Sequence, residues 1–279
     1  MIVKANAKIN LTLDIVGKRD DGFHLLDSVF QSVSLFDEIE IKESENISVA
    51  FSDSQVDGKT SLAMKAAKAF FEYTEIKSGA EISVKNNIPA CSGMGGGSSD
   101  CAGVLVGLNR LFGTNLSLNT LCKIGATLGS DVPFCIVGAT ARVRGVGEIV
   151  EPLPDIQKLN LLIIKHSQKI STADMYNKID SRQFISPKTE NMVKAIKNND
   201  ISGILSNISN AFLGVADISF EENLLKECGA LKVGLSGSGP SVFGIFPDTH
   251  TSDTAFKTLK NAGYTVFLAQ TSEKGIIIE

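Results

Sequence analysis

Pro89-Ala90-Cys91-Ser92-Gly93-Met94-Gly95-Gly96-Gly97-Ser98-Ser99-Asp100 is the stretch on which the reading of this chain turns. Between Gly93 and Ser99 lie four glycines, two hydroxyls and one thioether. Glu81 to Val84 reads as a short strand leading in. Cys101, Val104, Leu105, Leu108, Leu111 and Phe112 then recur at helical spacing, with Gly113 where a helix stop belongs. Glycine lets backbone N–H groups approach a ligand closely and take positive φ. The helix behind the loop adds free N–H groups and about half a positive charge. Together these form an anion cradle, most naturally for phosphate. The competing structural reading is a plain connector in which Ser98, Ser99 or Asp100 caps the helix.

The common phosphate and nucleophile motifs fail. Gly58-Lys59-Thr60 ends like a P-loop, but Asp53 stands where its first glycine belongs. Gly95 and Gly97 begin a dinucleotide fingerprint that Asp100 breaks. Gly234-Leu235-Ser236-Gly237-Ser238 lacks the last glycine of a nucleophile elbow. The Gly93 loop also has no lysine. A nucleoside triphosphate carries about four negative charges against about half a positive charge from one helix end. Magnesium and a lysine from elsewhere must supply the remainder.

Lys8 is the candidate lysine. Ile9, Leu11, Leu13 and Ile15 alternate with Lys8, Asn10, Thr12 and Asp14, the pattern of a half-buried strand with Lys8 and Asn10 on its polar face. Gly17 to Gly22 is a polar turn. Val29, Val33 and Leu35, then Ile39 and Ile41 beyond Asp37-Glu38, predict two further strands. Leu62 to Phe71 predicts a helix capped by Thr60 or Ser61, and Ser117 to Gly129 another. Phe134 to Val137 reads as an apolar strand. Glu151-Pro152-Leu153-Pro154-Asp155 marks a boundary between residues 1–153 and 154–279. Beyond it come a strand at Leu159–Ile164 and helices at Glu190–Lys197 and Phe220–Cys228. Strands at Lys232–Leu235 and Ser241–Phe246, a helix at Asp253–Ala262 and a strand at Thr265–Ala269 complete the pattern. The mixture predicts an α+β protein of two packed layers, and 279 residues suit two domains.

Composition narrows the function classes. A formal charge of −4 and the absence of Trp argue against nucleic-acid or anionic-membrane surfaces. No apolar run reaches the roughly 18 residues of a membrane span. Lys4, Lys8, Asn10 and Asp14 interrupt the N-terminus, which does not read as a signal peptide. Five scattered cysteines without a Cys-x-x-Cys pair suit neither a disulfide framework nor structural zinc. The expectation is a soluble cytoplasmic protein, with its state as monomer or homodimer left open.

Three segments resemble the GHMP kinase superfamily, which includes galactokinase, homoserine kinase, mevalonate kinase and phosphomevalonate kinase. They are Ala7-Lys8-Ile9-Asn10-Leu11, Pro89 through Asp100, and Leu235-Ser236-Gly237-Ser238-Gly239-Pro240-Ser241. Arg19-Asp20-Asp21-Gly22-Phe23-His24 resembles the branch that acts on a cytidine-diphosphate-linked methylerythritol in non-mevalonate isoprenoid precursor synthesis. The resemblance implies a two-domain fold, an N-terminal domain like ribosomal protein S5 domain 2 and a ferredoxin-like C-terminal domain. It implies transfer of the γ-phosphoryl group of ATP, with Mg2+, to the 2-hydroxyl of that substrate. It places Lys8 and Asp131 as the catalytic pair. It makes Pro89, Ala90, Cys91, Ser92, Gly93, Met94, Gly95, Gly96, Gly97, Ser98 and Ser99 the ATP loop. Asn10, Phe23, His24, Thr172, Tyr176, Gly237, Ser238 and Gly239 fall to substrate. The metal ligands stay open. Phe23 replaces a usual tyrosine, and Ser61 stands where asparagine is common near the adenine. Another GHMP kinase and a non-catalytic nucleotide-binding protein are the rival readings.

Each residue also has a plainer explanation. Asp131 before Val132-Pro133 is a loop carboxylate suited to an Asx-turn, followed by extended backbone at Val132. In a kinase it can accept the proton of the acceptor hydroxyl or, beside an ammonium group, chiefly orient that hydroxyl. His24 has no metal-ligating neighbour in sequence, and a neutral imidazole suits a pyrimidine edge. Ser236 to Ser241 is at least a hairpin turn.

Overall fold

The computed structural model describes residues 1–54, 56–166, 171–180 and 187–279. Strands β1 (Ile2–Lys18) and β2 (His24–Ser44) form a long antiparallel hairpin. There follow β3 (Ser48–Phe51), α1 (Leu62–Thr74), β4 (Gly79–Lys85), α2 (Gly96–Leu111), α3 (Leu118–Leu128), α4 (Val132–Val137), β5 (Thr140–Gly145) and β6 (Ile149–Pro152). The later part holds β7 (Asn160–Lys165), α5 (Thr172–Ile179), α6 (Thr189–Lys197), α7 (Ile201–Asn207), β8 (Ser209–Asn210), α8 (Ser219–Glu227), β9 (Lys232–Leu235), β10 (Ser241–Phe246), α9 (Thr249–Asn261), β11 (Val266–Gln270) and β12 (Ile276–Ile278).

One sheet has the path β12-β1-β2-β4-β3, with β5 on β2, β6 on β5 and β8 on β1. The other is antiparallel, in the order β11-β7-β10-β9. Numbered within itself, that sheet runs 4-1-3-2, the ferredoxin-like arrangement. Helices α1 to α4 cover the first sheet over a core that includes Phe30, Ile39, Phe70, Leu105 and Phe134. Ile9 and Leu11 of β1 pack instead with Ile163, Phe243 and Ile196 of the later part. This one strand therefore contributes to both layers.

The half-buried strand expected at Ile9–Ile15 is buried on both faces and extends from Ile2 to Lys18. Its polar row is enclosed because each member has a partner. Thr12 Oγ1 accepts from Thr189 Oγ1 at 2.8 Å, and Asp14 Oδ2 accepts from the Lys188 and Thr189 amides at the start of α6. The break expected at Asp37-Glu38 is absent. Asp37 turns inward and accepts the Asn87 and Ile88 amides at 2.6 and 2.7 Å, so β2 continues through it. Phe134–Val137 is helical, not extended. Pro133 near the start presets φ and Gly138 at φ 71° ends the turn; Val132 is helical too. A short apolar run reads alike as a buried strand or a buried helix.

Helix α1 takes its cap from Ser61, and α3 spans Ser117 to Gly129 as its caps. Strands β3, β5, β6, β8 and β12 and helices α5 and α7 had not been anticipated. The division after Leu153 does not partition the sheets, because β8 and β12 return to pair with β1. No helix of the described residues is long and apolar enough to cross a membrane.

Candidate active site

Helix α2 begins at Gly96, earlier than serine capping requires. Gly95, at φ 75°, is the N-cap and offers no side-chain bond to the helix. Ser99 and Asp100 lie within the helix and are buried. Ser99 Oγ donates to the Asn6 carbonyl at 2.8 Å, which removes it as a cap. Glycine capping leaves the first amides of α2 free for an anion.

Lys8 projects from β1 beneath this loop. Its Nζ donates to Asn10 Oδ1 at 3.0 Å, lies 3.4 Å from Asp131 Oδ2, and rests 4.4 Å from the centre of the Phe30 ring. A buried ammonium group needs such partners. A Cβ on Gly95 would meet Lys8 Cγ at 3.1 Å, so the glycine lets loop and lysine approach closely. Asp131 precedes α4 and, like Gly95, makes no side-chain cap bond. Its carboxylate is left to Lys8 and the cavity.

The hairpin Ser236–Ser241 closes the other side. Ser236 Oγ donates to the Gly93 carbonyl at 3.0 Å, and the Ser241 amide to the Ser92 carbonyl at 3.2 Å. Asn10 Oδ1 accepts the Gly237 amide at 2.8 Å, while Asn10 Nδ2 donates to Ser28 Oγ at 3.1 Å. Asn10 thus joins the lysine to the hairpin. Asn210, which the sequence reading missed, donates to the Leu235 and Gly237 carbonyls at 2.8 Å and fixes the same turn.

These groups face one cavity of about 590 Å³, lined by Lys8, Asn10, Gly93, Gly95, Asp131, Gly237 and Ser238. Gly22, Phe23, His24 and Tyr176 line the same cavity. The His24 and Tyr176 rings stack with centroids 4.6 Å apart, and Phe212 meets Tyr176 edge-on. Burial, then the Asp131 charge, pushes the Tyr176 hydroxyl up to about 12, so it keeps its proton. Phe23 is exposed at the cavity rim. Asp180, also missed, lies four residues beyond Tyr176 at the end of α5 and holds His24 Nε2 at 2.6 Å. That helical spacing was the available signal.

Not every expected residue reaches this cavity. Pro89, Ala90, Cys91, Gly96 and Gly97 line a separate 220 Å³ cavity beside Ser61 and Leu62. Ser61 is already committed there, capping α1 through the Met64 amide and donating to the Gly58 carbonyl. Met94 is buried in the core, and Ser92 is buried with its carbonyl engaged. Gly239 faces a third cavity, with Pro240 and His166. Thr172 opens α5, but its side chain lies outside the described residues.

Below the glycine loop Asp37 and Asp100 face each other, both buried. Burial and the neighbouring Asp37 charge hold the Asp100 carboxyl well above the usual carboxylate range. That direction favours a proton shared between Asp100 and Asp37.

A glycine-capped helix, a hairpin on its loop and a lysine–aspartate pair between them define a kinase of the GHMP type. The GHMP kinases N terminal domain matches residues 61–139, and the GHMP kinases C terminal matches residues 192–265. A 4-diphosphocytidyl-2-C-methyl-D-erythritol kinase of Clostridium perfringens is 39% identical over 269 residues, covering 93% of each chain. A solved 4-(cytidine 5'-diphospho)-2C-methyl-D-erythritol kinase is 27% identical, with a TM-score of 0.80 over 98% of this chain and 99% of its own. A homoserine kinase from Cytophaga hutchinsonii has nearly the same TM-score, 0.79, at 18% identity over 100% and 97% of the two chains. The backbone alone therefore does not separate these branches; sequence does. The chain belongs to the 4-diphosphocytidyl-2-C-methyl-D-erythritol kinase family of GHMP kinases.

Proposed function

We propose that this kinase transfers the γ-phosphoryl group of ATP to the 2-hydroxyl of 4-(cytidine 5'-diphospho)-2-C-methyl-D-erythritol, at the Lys8–Asp131 end of the large cavity. The observation that carries this reading is the shared cavity: the ion pair, the glycine loop and the His24–Tyr176 stack all line it. An alcohol held between Asp131 and Lys8, with its nucleotide end toward the rings, fits that layout.

In this reading the adenosine part of ATP occupies the 220 Å³ cavity beside Cys91. The phosphates cross the loop at the free amides of α2. Ser92, Met94 and Ser99 act through backbone and packing, since their side chains are buried. Asp131 orients the acceptor hydroxyl and takes its proton as the O–P bond forms. Lys8 offsets charge on the transferred group, and direct in-line transfer needs no covalent intermediate. Asn10 keeps Lys8 and the Gly237 amide in register. His24, Phe23 and Tyr176 hold the base; Thr172, Ser238 and Gly239 belong to the same substrate-side segments.

Among the described residues no three His, Cys, Asp or Glu side chains cluster as a metal cage; in this reading a magnesium ion would be brought in on the phosphate oxygens of ATP. The Asp131 carboxylate, which lines the cavity, would hold it there, and it would neutralise phosphate charge. We also keep 153/154 as the boundary between an N-terminal and a C-terminal segment, both of which line the substrate cavity, and expect a cytoplasmic enzyme.

ADP release measured on a panel of the cytidylylated methylerythritol, homoserine, mevalonate and galactose tests this. Turnover with the first alone is expected. Turnover only with another alcohol overturns the substrate, and nucleotide binding without ADP release overturns catalysis.

A further inference from the structure

Asp180 is a carboxylate that no step above uses, yet it joins the two halves of the base end of the cavity. Its Oδ1 lies 2.6 Å from His24 Nε2, and its Oδ2 lies 2.5 Å from Lys18 Nζ. His24 and Lys18 are paired residues where β1 and β2 meet. Asp180 comes from the end of α5, the helix that supplies Tyr176. We propose, resting on the cytidine reading above, that Asp180 is a positioning residue that selects cytosine over uracil by fixing the proton of His24 on Nε2.

The argument is one of donors and acceptors. An ammonium group has only hydrogens to offer, so Lys18 requires an acceptor and obtains Asp180 in its ionised form. Hydrogen bonds from Lys18 and His24 hold the Asp180 carboxyl below its ordinary range, in keeping with that assignment. An ionised carboxylate has no hydrogen to give. The hydrogen in the 2.6 Å contact must then come from Nε2, and in the neutral ring Nδ1 is left as an acceptor.

Nδ1 has no partner among the described residues, and the His24 side chain is 7% exposed. Stacking on Tyr176, itself braced by Phe212, sets the plane of the ring. Cytosine offers an amino donor where uracil offers a carbonyl oxygen. An Nδ1 lone pair matches the first and opposes the second, leaving two desolvated acceptors face to face. A site built around such a bond rejects the mismatched analogue strongly.

The test compares the cytidine substrate with its uridine analogue on wild type, Asp180→Ala and Asp180→Glu. Wild type is expected to favour cytidine by about 100-fold in kcat/KM. Asp180→Ala should raise KM for the cytidine substrate by about tenfold, leave kcat within about twofold and collapse the preference. Asp180→Glu, which keeps a carboxylate, should restore most of it.

Nitrogen-15 spectra of the imidazole, assigned with His24→Gln, provide a readout that a purely structural role would not move. Wild type should show hydrogen on Nε2 alone, and Asp180→Ala a mixture of both tautomers. A wild-type ring carrying hydrogen on Nδ1, or an alanine variant with unchanged preference and tautomer, overturns the proposal while leaving the cytidine reading intact. Equal turnover of both pyrimidine substrates by wild type, or turnover of neither, overturns the cytidine reading and this proposal with it.

Discussion

Lys8 Nζ and Asp131 Oδ2 are 3.4 Å apart, an ion pair between the first strand and the start of a six-residue helix. The pair is asymmetric: the lysine side chain is 5% exposed and the aspartate 28%, so the carboxylate is the more open of the two at the cavity. Asp131→Asn keeps the shape, loses the proton acceptor and leaves Lys8 with Asn10 and Phe30. We expect kcat to fall about 10²- to 10⁴-fold while KM for ATP stays within about twofold. Coupled ADP release over a range of ATP concentrations measures both; a fully active variant removes the role given to Asp131.

Two glycines of one loop should respond oppositely to alanine. Gly93 has φ 75°, and a Cβ there would fall 2.3 Å from the Ser236 carbonyl oxygen and 2.8 Å from that of Gly239. Gly93→Ala should therefore part the loop from the hairpin, cost about 1–3 kcal/mol of stability and raise KM for both substrates. Gly97 lies in α2, and its added Cβ would meet only Leu62 Cδ1, at 3.7 Å. Gly97→Ala should match or exceed wild type in Tm, since alanine favours helix by about 1 kcal/mol. Any rise in KM for ATP alone would then report a backbone close to phosphate. Thermal melts beside steady-state kinetics separate the two cases.

The contrast shows what the sequence could and could not reveal. The loop, the strand before it and the amphipathic helix after it were legible because glycine density and apolar period are local properties. So was the polar row Lys8–Asn10–Thr12–Asp14. Its burial was not, because Asp14 finds the amides of α6 and Asn10 the Gly237 amide from far along the chain. Phe134–Val137 misled because a short buried run has no period to read. Asp37 looked like a strand break when taken alone. It is a bond acceptor for the segment that enters the loop, and no local pattern announces that role. Asp180 carried only its i,i+4 spacing from Tyr176, invisible while α5 itself was unrecognised.

Cys91 provides a chemical probe of the nucleotide cavity. It is exposed and borders that cavity, whereas Cys101 and Cys135 are buried. Burial pushes both buried thiols up, Cys135 to about 12, which leaves them without reactive thiolate near neutrality. Iodoacetamide should therefore modify Cys91 ahead of these two, as read by peptide mass spectrometry. ATP at about ten times its Kd should slow that modification about tenfold. Labelling at an unchanged rate would mean that the nucleotide lies elsewhere.

The Asp37–Asp100 pair makes a prediction about pH that does not depend on catalysis. Burial and the Asp37 charge raise the Asp100 carboxyl well above its ordinary 3.8, and burial raises Asp37 as well despite two backbone donors. Above the ordinary carboxylate range the folded protein thus holds a proton more tightly than the unfolded chain does. The sign follows: a raised folded value contributes stability that is complete below about pH 4 and declines as pH climbs toward the folded value. Asp100→Asn has no proton to take up and retains an N–H to donate to Asp37. Its Tm should lie close to wild type near pH 4.5 and exceed it by about 3 °C, about 1 kcal/mol, at pH 8. Every other carboxylate titrates in both proteins, so the difference between their melting curves isolates this pair. A difference that stays constant from pH 4.5 to 8 would show that no proton is held between the two side chains.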